Sequence, residues 1–195
     1  MKLRILRSAD YKKVPWKNGR GTTSEILISP NNAQFPQDPF DWRLSSALIQ
    51  EPGEFSTFPG YDRTLLLVEG RELLLHSENP SKLIKLSEGD VYSFAGEAQI
   101  RAEITCGPVK DLNLIYRRRI KSNFKTIHLS KKDQKIPMKG LNLIYVVQGS
   151  IVLPENGQNV AATGDTVFIE GKKHLLHLQA NESEAWVVLI GIEIP

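Results

Sequence analysis

Two segments of the chain share one pattern, and this internal repeat constrains the fold more than any single segment does. Residues 66–75 have an apolar strand, a glycine turn and a second apolar strand, and residues 145–153 repeat that order. Each segment is followed by a Gly-Asp step that leads into another apolar strand, at residues 89–90 and 164–165. The turn glycines lie 79 residues apart and the Gly-Asp steps 75 residues apart. This spacing indicates two related units in one chain.

Strand-type patterns also dominate the rest of the sequence. Short runs of β-branched and aliphatic residues alternate with Gly, Pro, Asn and Asp, and no segment has an amphipathic helical pattern of three turns. The one helix candidate is a single turn at residues 8–11. Many short strands predict a sandwich or barrel, and the repeated order is typical of a cupin barrel. We therefore expect an all-β fold of two cupin-type β-barrels, a bicupin, with very little helix.

A basic segment lies between the two copies of the repeat. Residues 117–139 contain nine lysines and arginines against one acid, Asp133. A nucleic-acid site would need interleaved aromatic residues or a helix, and Pro137 and Gly140 disfavour a helix. We interpret the segment as an exposed linker and expect no nucleic-acid partner. The predicted domains are residues 1–120, which carry the motifs described below, and residues 121–195.

The composition is that of an ordinary globular protein. The chain has 195 residues, 25 basic and 22 acidic side chains, and 41% hydrophobic residues. Its single cysteine, Cys106, excludes an intramolecular disulfide and fits a reducing compartment. The N-terminus is interrupted by charges, unlike a signal peptide, and no apolar run reaches the length of a membrane helix. We expect a cytoplasmic protein without a membrane partner.

The histidines argue against a bound metal. Metal-binding cupins hold their ion with a His-x-His pair, a glutamate and a later histidine, a donor set suited to iron, manganese or zinc. This chain has four histidines and no His-x-His pair. His174 lies near the expected position of the last histidine, but it follows Lys172 and Lys173. We therefore predict neither a metal nor another cofactor.

Polar residues that are suited to binding or catalysis concentrate in the first unit. Residues 15–23 combine an indole, an amide, hydroxyls and cations around two glycines, which suits backbone N–H contacts to an anion. In the strand pattern at residues 40–45, Arg43 and Ser45 share one face. If that face points inward, the buried guanidinium needs a charged ligand or an internal acid.

Two further pairs supply such acids and amides. Asp111 and Asn113 share one face of their strand, and the turn at residues 55–63 places Asp62 and Arg63 at the start of a buried strand. A structural ion-pair network is the alternative to a binding site. It would comprise Arg43, Asp62, Arg63 and Asp111.

Five separated motifs resemble the HutD/Ves family in their order and spacing. They lie at residues 16–26, 40–47, 55–63, 94–97 and 107–113. The resemblance spans most of the first unit, and beyond Lys121 it reduces to length and barrel pattern. It implies a bicupin fold, in agreement with the repeat.

The resemblance also implies a role. Members of this family accompany histidine-degradation genes as accessory or regulatory proteins, others are linked to stress or cold response, and no catalytic reaction is established for them. The chain departs from the family pattern at Arg20, Ile115 and Tyr116, which leaves the identity of the ligand open. Carried onto this sequence, the pocket-lining positions are Trp16, Asn18, Arg43, Ser45, Asp62, Arg63, Asp111 and Asn113.

These observations favour a metal-free bicupin that binds a small anionic metabolite, such as an amino-acid-derived carboxylate held by Arg43. No catalytic residue is assigned. The alternative is an enzyme, either an isomerase or hydrolase with Asp62 or Asp111 as base, or a metal-dependent oxygenase. A third possibility is an interaction protein that uses barrel edges or the basic segment. By analogy with other cupins, we expect a homodimer.

Overall fold

Strands dominate the computed structural model, which describes residues 1–16, 21–78, 81–154 and 159–195. The predicted all-β fold is confirmed, and a 3-10 turn at Ser8–Asp10 is the helical element that lies wholly within the described residues. None of these residues form a helix long and apolar enough to cross a membrane. The strands are β1 (Lys2–Leu6), β2 (Lys12–Pro15), β3 (Gly21–Ser29), β4 (Trp42–Ile49), β5 (Gly53–Glu54), β6 (Tyr61–Glu69), β7 (Leu73–Glu78), β8 (Ser81–Leu86), β9 (Val91–Ala95), β10 (Ile100–Ile104), β11 (Val109–Arg117), β12 (Lys121–Ser130), β13 (Gln134–Gln148), β14 (Ser150–Leu153), β15 (Asn159–Ala162), β16 (Thr166–Ala180) and β17 (Glu184–Glu193).

The chain divides into an N-terminal unit, residues 12–118, and a C-terminal unit, residues 119–195 together with residues 1–11. This division corrects the predicted boundaries of 1–120 and 121–195 at the N-terminus. Strand β1 pairs antiparallel with β16 of the C-terminal unit, and its Leu3 and Ile5 pack against that unit's core. Arg7 adds an ion pair of 2.8 Å to Asp165.

Two antiparallel sheets form the N-terminal unit. A six-stranded sheet has the order β2-β3-β4-β11-β6-β9, and a four-stranded sheet has the order β5-β10-β7-β8. Leu65 and Leu67 of the larger sheet pack with Leu73, Leu75 and Ile100 of the smaller one. This apolar cluster fills one part of the inner face of the larger sheet, and polar side chains occupy another part of that face.

A seven-stranded antiparallel sheet holds most of the C-terminal unit. Its order is β12-β17-β13-β16-β14-β15, with β1 also paired to β16. Alternate residues of these strands point to a core that includes Ile144, Val146, Val167, Val187 and Leu189. In both units the strand orders run from edge to edge, so each unit is a cupin-like β-sandwich rather than a closed barrel.

The repeat noted in the sequence is also present in the backbone. The turn glycines Gly70 and Gly149 have φ of 111° and 80°, and Gly89 and Gly164 of the Gly-Asp steps have φ of 92° and 88°. Glycine adopts this left-handed region without steric penalty. A Cβ on Gly149 would also lie 2.6 Å from the carbonyl oxygen of Glu184. Both copies therefore require glycine at these turns.

Candidate functional site

A cavity of about 550 Å³ opens on the inner face of the six-stranded sheet. Strand alternation directs five polar side chains toward it from β4, β6 and β11. The register explains the grouping, because Ser45 lies opposite Asn113 while both Arg43 and Arg63 lie opposite Ile115. The five are Arg43, Ser45, Arg63, Asp111 and Asn113, and all are buried.

Arg43 is 5% exposed and is held by an acid from the neighbouring strand. Its Nε donates to Oε2 of Glu25 on β3 at 2.7 Å, and Nη1 lies 3.5 Å from Oγ of Ser45. The guanidinium carbon lies 4.3 Å from the centre of the Phe35 ring. Within the described part of the chain, Glu25 and Ser45 are the side chains that engage this guanidinium, so it retains N–H groups for a ligand.

Arg63 is equally buried, in an aromatic surrounding. Its Nε donates to Oδ1 of Asn113 at 3.4 Å and its Nη1 to the backbone oxygen of Ser56 at 3.1 Å. Burial lowers the pKa of Arg63 to about 10, although the nearby Asp111 acts in the opposite direction. The group therefore remains cationic at neutral pH. Three rings lie 5.0 to 5.5 Å from its guanidinium carbon, those of Phe55, Phe58 and Phe94.

Asp111 is the acid buried deepest in this cavity, at 1% exposure. Its Oδ1 accepts a hydrogen bond of 3.2 Å from the backbone N–H of Ala47. Burial raises the pKa of Asp111 from 3.8 to about 7, against the opposing effects of Arg63, the Ala47 N–H and Asn113. Near neutral pH this carboxyl is therefore partly protonated.

The charges in the cavity do not balance. Arg43 and Arg63 are two buried cations, whereas Glu25 pairs with Arg43 and Asp111 carries only part of a negative charge. An arginine guanidinium binds carboxylates and phosphates through paired, charge-assisted hydrogen bonds. In a buried setting such contacts are stronger than in water. The arrangement can therefore hold a small anion.

The wall beside these charges is largely apolar. Trp16 lines the cavity, and its Nε1 donates to Oγ1 of Thr23 at 2.8 Å. A Cβ on Gly21 would lie 3.0 Å from the indole and 2.6 Å from the oxygen of Leu48, so the close approach of Trp16 requires glycine there. Phe35 and Pro36 also line the cavity, so it combines a charged part with a surface for an organic group.

The structure brings together six of the eight predicted site residues around this cavity: Trp16, Arg43, Ser45, Arg63, Asp111 and Asn113. The predicted position of Asp62 in the site is corrected, because adjacent residues on a strand point to opposite faces and Asp62 therefore points away from the cavity that Arg63 lines. Its Oδ1 instead accepts from Nε of Arg118 at 3.3 Å, on an exposed surface. Asn18 lies outside the described residues. The predicted network of four charged residues is therefore not the observed one, since Arg43 pairs with Glu25 and Asp62 pairs with Arg118.

Some lining residues had no role in the sequence-based prediction. Glu25 belongs to one of the motifs, and its alternation with Thr23 on β3 was an available signal. Glu25 lies opposite Ser45 in the register of β3 with β4, and a register shift follows it, between Glu25 and Leu27. Phe35 and Pro36 come from the loop between β3 and β4, where no periodic pattern indicates which residues point inward.

The C-terminal unit has a different cavity, of about 690 Å³, near the end of its sheet. His128 stacks on Trp186 there with ring centres 5.9 Å apart, and most of the other lining side chains are polar and exposed. His174 lies apart from it, and its Nδ1 contacts the backbone oxygen of Lys172 at 2.7 Å. Across the described ranges, no three His, Cys, Asp or Glu side chains come together as a metal-binding group.

Comparison with known families matches residues 8–187 to the family described as HutD. A relative from Pseudomonas putida, described as an uncharacterized 21.2 kDa protein in the hutC 3' region, is 33% identical over 96% of this chain and 97% of its own length. Protein Ves of Citrobacter koseri is 37% identical over 113 residues, which is 56% of each chain.

Solved structures show the same fold. A conserved protein of unknown function from Pseudomonas aeruginosa PAO1 superposes with a TM-score of 0.84 at 31% identity, over 99% of this chain and 100% of that one. HutD from Pseudomonas fluorescens SBW25, in a formate condition, gives 0.80 at 24% identity, over 98% and 100%. A cupin 2 conserved barrel domain protein from Leptotrichia buccalis gives 0.60 at 12% identity, over 96% and 100%.

Proposed function

The chain belongs to the HutD family, and we propose that it is a metal-free accessory or regulatory protein that binds a small anionic metabolite in the cavity of its N-terminal unit. One observation carries this proposal. Two guanidinium groups, each 5% exposed, face a single cavity in which, among the described residues, Glu25 is the one carboxylate that pairs with them at short distance. A buried cation without a full complement of anions is unfavourable unless a ligand completes it.

The shape and chemistry of the cavity favour a carboxylate on a small organic molecule. Arg43 would hold the carboxylate, while Ser45 and Asn113 would orient it through hydrogen bonds. Trp16 and Phe35 would contact the organic part. A volume of about 550 Å³ falls within the usual range of small-molecule sites.

The relatives suggest where such a metabolite arises. One relative is described by its position beside hutC, and a solved relative is named HutD. These names support a role in histidine utilisation, for which the anion would be an amino-acid-derived acid. A sensor or accessory protein of such a pathway needs a binding site but no catalytic group.

Isothermal titration calorimetry tests this proposal. The ligands are urocanate, histidine, formylglutamate and formiminoglutamate, and the proteins are the wild type, Arg43→Ala and Arg118→Ala. We expect at least one anion to bind the wild type. Its affinity for Arg43→Ala should be at least about tenfold lower, because this substitution removes a charged hydrogen-bonding partner. Arg118 lies on the exposed surface with Asp62 and serves as the matched arginine control. If no ligand binds, or if both variants bind like the wild type, the proposal is wrong.

An enzyme is the second candidate, because a buried carboxyl with a pKa of about 7 suits general acid-base catalysis. Asp111 would then be the base of an isomerase or hydrolase that acts on the same class of acid, and Asp62 is no longer a candidate because it faces away. Incubation of each bound ligand with the protein, followed by mass spectrometry, separates the two functions. Turnover that disappears in Asp111→Asn while binding remains would favour the enzyme.

A further inference from the structure

We propose that the anion and one proton enter this cavity together, and that Asp111 is the residue that takes up the proton. The inference rests on the proposed anion site and adds its regulation. It makes occupancy of the site depend on pH near neutrality, and it gives Asp111 a role in binding rather than in catalysis.

The position of Asp111 supports this role. The residue lies on β11, between β4 and β6, where it is opposite Ala47 on one side and Leu67 on the other. A register shift next to Lys110 interrupts the pairing with β6 at this point. The carboxyl receives one backbone hydrogen bond, from Ala47, and is otherwise shielded from water.

Arg63 is the cation that favours the ionised form of Asp111. It attracts the carboxylate directly, and Asn113 lies next to both groups, since it accepts from Nε of Arg63 and also favours ionised Asp111. Arg43, the other buried cation facing this space, is already paired with Glu25. Asp111 therefore depends on Arg63 for its negative charge.

Other charged side chains around the cavity exert weaker effects. Lys12 on β2 and Glu54 on β5 line the cavity, and both are exposed. Glu54 also lies 3.6 Å from Arg101. Water and salt screen charges at such positions more than charges in the interior. The balance at Asp111 is therefore set mainly by its burial, by Arg63 and by the hydrogen bonds of Ala47 and Asn113.

A bound anion changes that balance. Once Arg43 holds a carboxylate beside Ser45 and Asn113, this new negative charge lies in the same cavity as Asp111 and repels its ionised form. Protonation removes the repulsion and supplies an O–H that can donate to the anion. The proton comes from solvent, and no covalent bond of the ligand changes. By linkage, the anion raises the pKa of Asp111, and protonated Asp111 binds the anion more tightly.

The sign of the pH effect follows. The anion binds best when Asp111 is protonated, so affinity falls as pH rises through neutrality. If binding requires the protonated form, the Kd for a carboxylate increases about tenfold between pH 6 and pH 8. Carboxylic acids without unusual surroundings titrate well below this range, so the ligand itself contributes no change.

Carbon-13 NMR of protein labelled at aspartate carboxyl carbons tests the proposal on the wild type. The Asp111 resonance, assigned from its absence in Asp111→Asn or from backbone correlations, is titrated with pH in the presence and absence of saturating sodium formate at constant ionic strength. We expect its midpoint to rise by about one pH unit or more with formate. An unchanged midpoint while formate shifts the amide signals of the cavity would overturn the proton coupling and leave the anion site intact.

Measurement of Kd for formate at pH 6, 7 and 8 gives an independent result. The proteins are the wild type, Asp111→Asn, and Asp62→Asn as a control that makes the same substitution outside the cavity. The wild type and Asp62→Asn should lose affinity with rising pH, whereas Asp111→Asn should show a constant Kd. Equal pH dependence in all three would contradict the role of Asp111. Absence of formate binding at every pH would overturn both this proposal and the anion site, and if Asp111→Asn does not fold, the carbon-13 titration of the wild type decides.

Discussion

Asp111 of β11 lies opposite Leu67 of β6 in the N-terminal unit, whereas Val187 of β17 lies opposite Val146 of β13 in the C-terminal unit. Leu67 and Val146 are 79 residues apart, the same separation as the turn glycines of the repeat. The two pairs therefore occupy the same place in the two sheets. A buried acid in one unit corresponds to a valine without any exposed surface in the other.

The rest of the site follows the same correspondence. Strand β4 pairs with β11 as β12 pairs with β17, so the two registers extend the correspondence to β4 and β12. Asn123 and Asn142 occupy the positions of the two arginines. Asn123 accepts a hydrogen bond from the N–H of Gly191, and Asn142 donates one to the carbonyl oxygen of Lys139. The corresponding pairs are Arg63 and Asn142, Arg43 and Asn123, Asn113 and Leu189, and Ser45 and Lys125.

The difference separates what the fold needs from what the site needs. In the C-terminal unit the equivalents of Asp111 and Asn113 are the buried apolar Val187 and Leu189, whereas the other three equivalents are the buried Asn142 and the exposed Asn123 and Lys125. The N-terminal unit instead buries two arginines and an aspartate at these positions, and buried charges are unfavourable. Departures of this kind from the pattern of a stable core are expected at functional sites.

Placing an aspartate at the position in the C-terminal unit that corresponds to Asp111 should have the largest effect on stability. Val187→Asp would bury a carboxyl in the apolar core, with no arginine at the corresponding positions. We expect it to lower the free energy of unfolding by more than about 3 kcal/mol, or to prevent folding. Urea denaturation followed by circular dichroism measures this change. The reciprocal variant, Asp111→Val, should fold and keep most of its stability, and a tolerated Val187→Asp would show that the two interiors are not different in this respect.

Truncation of the two interiors should also differ. Ile144 is fully buried in the C-terminal core, so Ile144→Ala should lower the free energy of unfolding by about 2 to 5 kcal/mol. Ser45 borders the cavity, so Ser45→Ala should change it by less than about 1 kcal/mol. The same denaturation experiment compares them. Similar losses for the two variants would contradict the description of one interior as packed and the other as a cavity.

Removal of the charge on Glu25 sharpens the account of the anion site. Glu25→Gln leaves the buried Arg43 without its ion pair, which should lower the stability of the free protein by about 1 to 3 kcal/mol. A bound anion can partly replace the lost charge. Differential scanning fluorimetry should therefore show a larger ligand-induced rise in Tm for Glu25→Gln than for the wild type. A smaller rise would mean that Glu25 contributes to the binding of the ligand itself.

The smallest effect concerns pH and the stability of the free protein. Burial raises the pKa of Asp111 to about 7, so the native state holds a proton that the unfolded state releases near pH 4. The stabilising contribution of the protonated form is complete below pH 4 and is lost as pH rises through 7. Compared with Asp111→Asn, the wild type should therefore be less stable at pH 8 than at pH 5. Urea denaturation at the two pH values measures the free energy of unfolding of the wild type and of Asp111→Asn. If the two proteins differ by the same amount at pH 5 and at pH 8, burial of an ionisable Asp111 is contradicted.

Much of this fold could be predicted from local patterns. The alternation of strand residues correctly grouped Arg43 with Ser45, and Asp111 with Asn113, on shared faces, and the structure turns both faces inward. The repeat indicated two related units. Both inferences depend on residues that are close in sequence or on similarity between segments, which a single sequence contains.

Other features depend on contacts between distant parts of the chain. The assignment of β1 to the C-terminal unit follows from its pairing with β16, which no local pattern encodes. Asp62 was placed in the site with Arg63, although adjacent residues on a strand point to opposite faces. Glu25 acquires its role only through the pairing of β3 with β4, which places it opposite Ser45. The sequence therefore predicted the composition of the site better than its internal pairing.

Formate titration followed by amide NMR tests the central difference between the two units most directly. The account predicts saturable shifts at Ala47, Asp111 and Asn113, which surround the cavity, and no saturable shift at the corresponding Val187 and Leu189. Chloride at the same ionic strength serves as the control for salt effects. Shifts that are absent from the cavity, or that grow without saturation in both units alike, would contradict the claim that the N-terminal cavity is an anion-binding site.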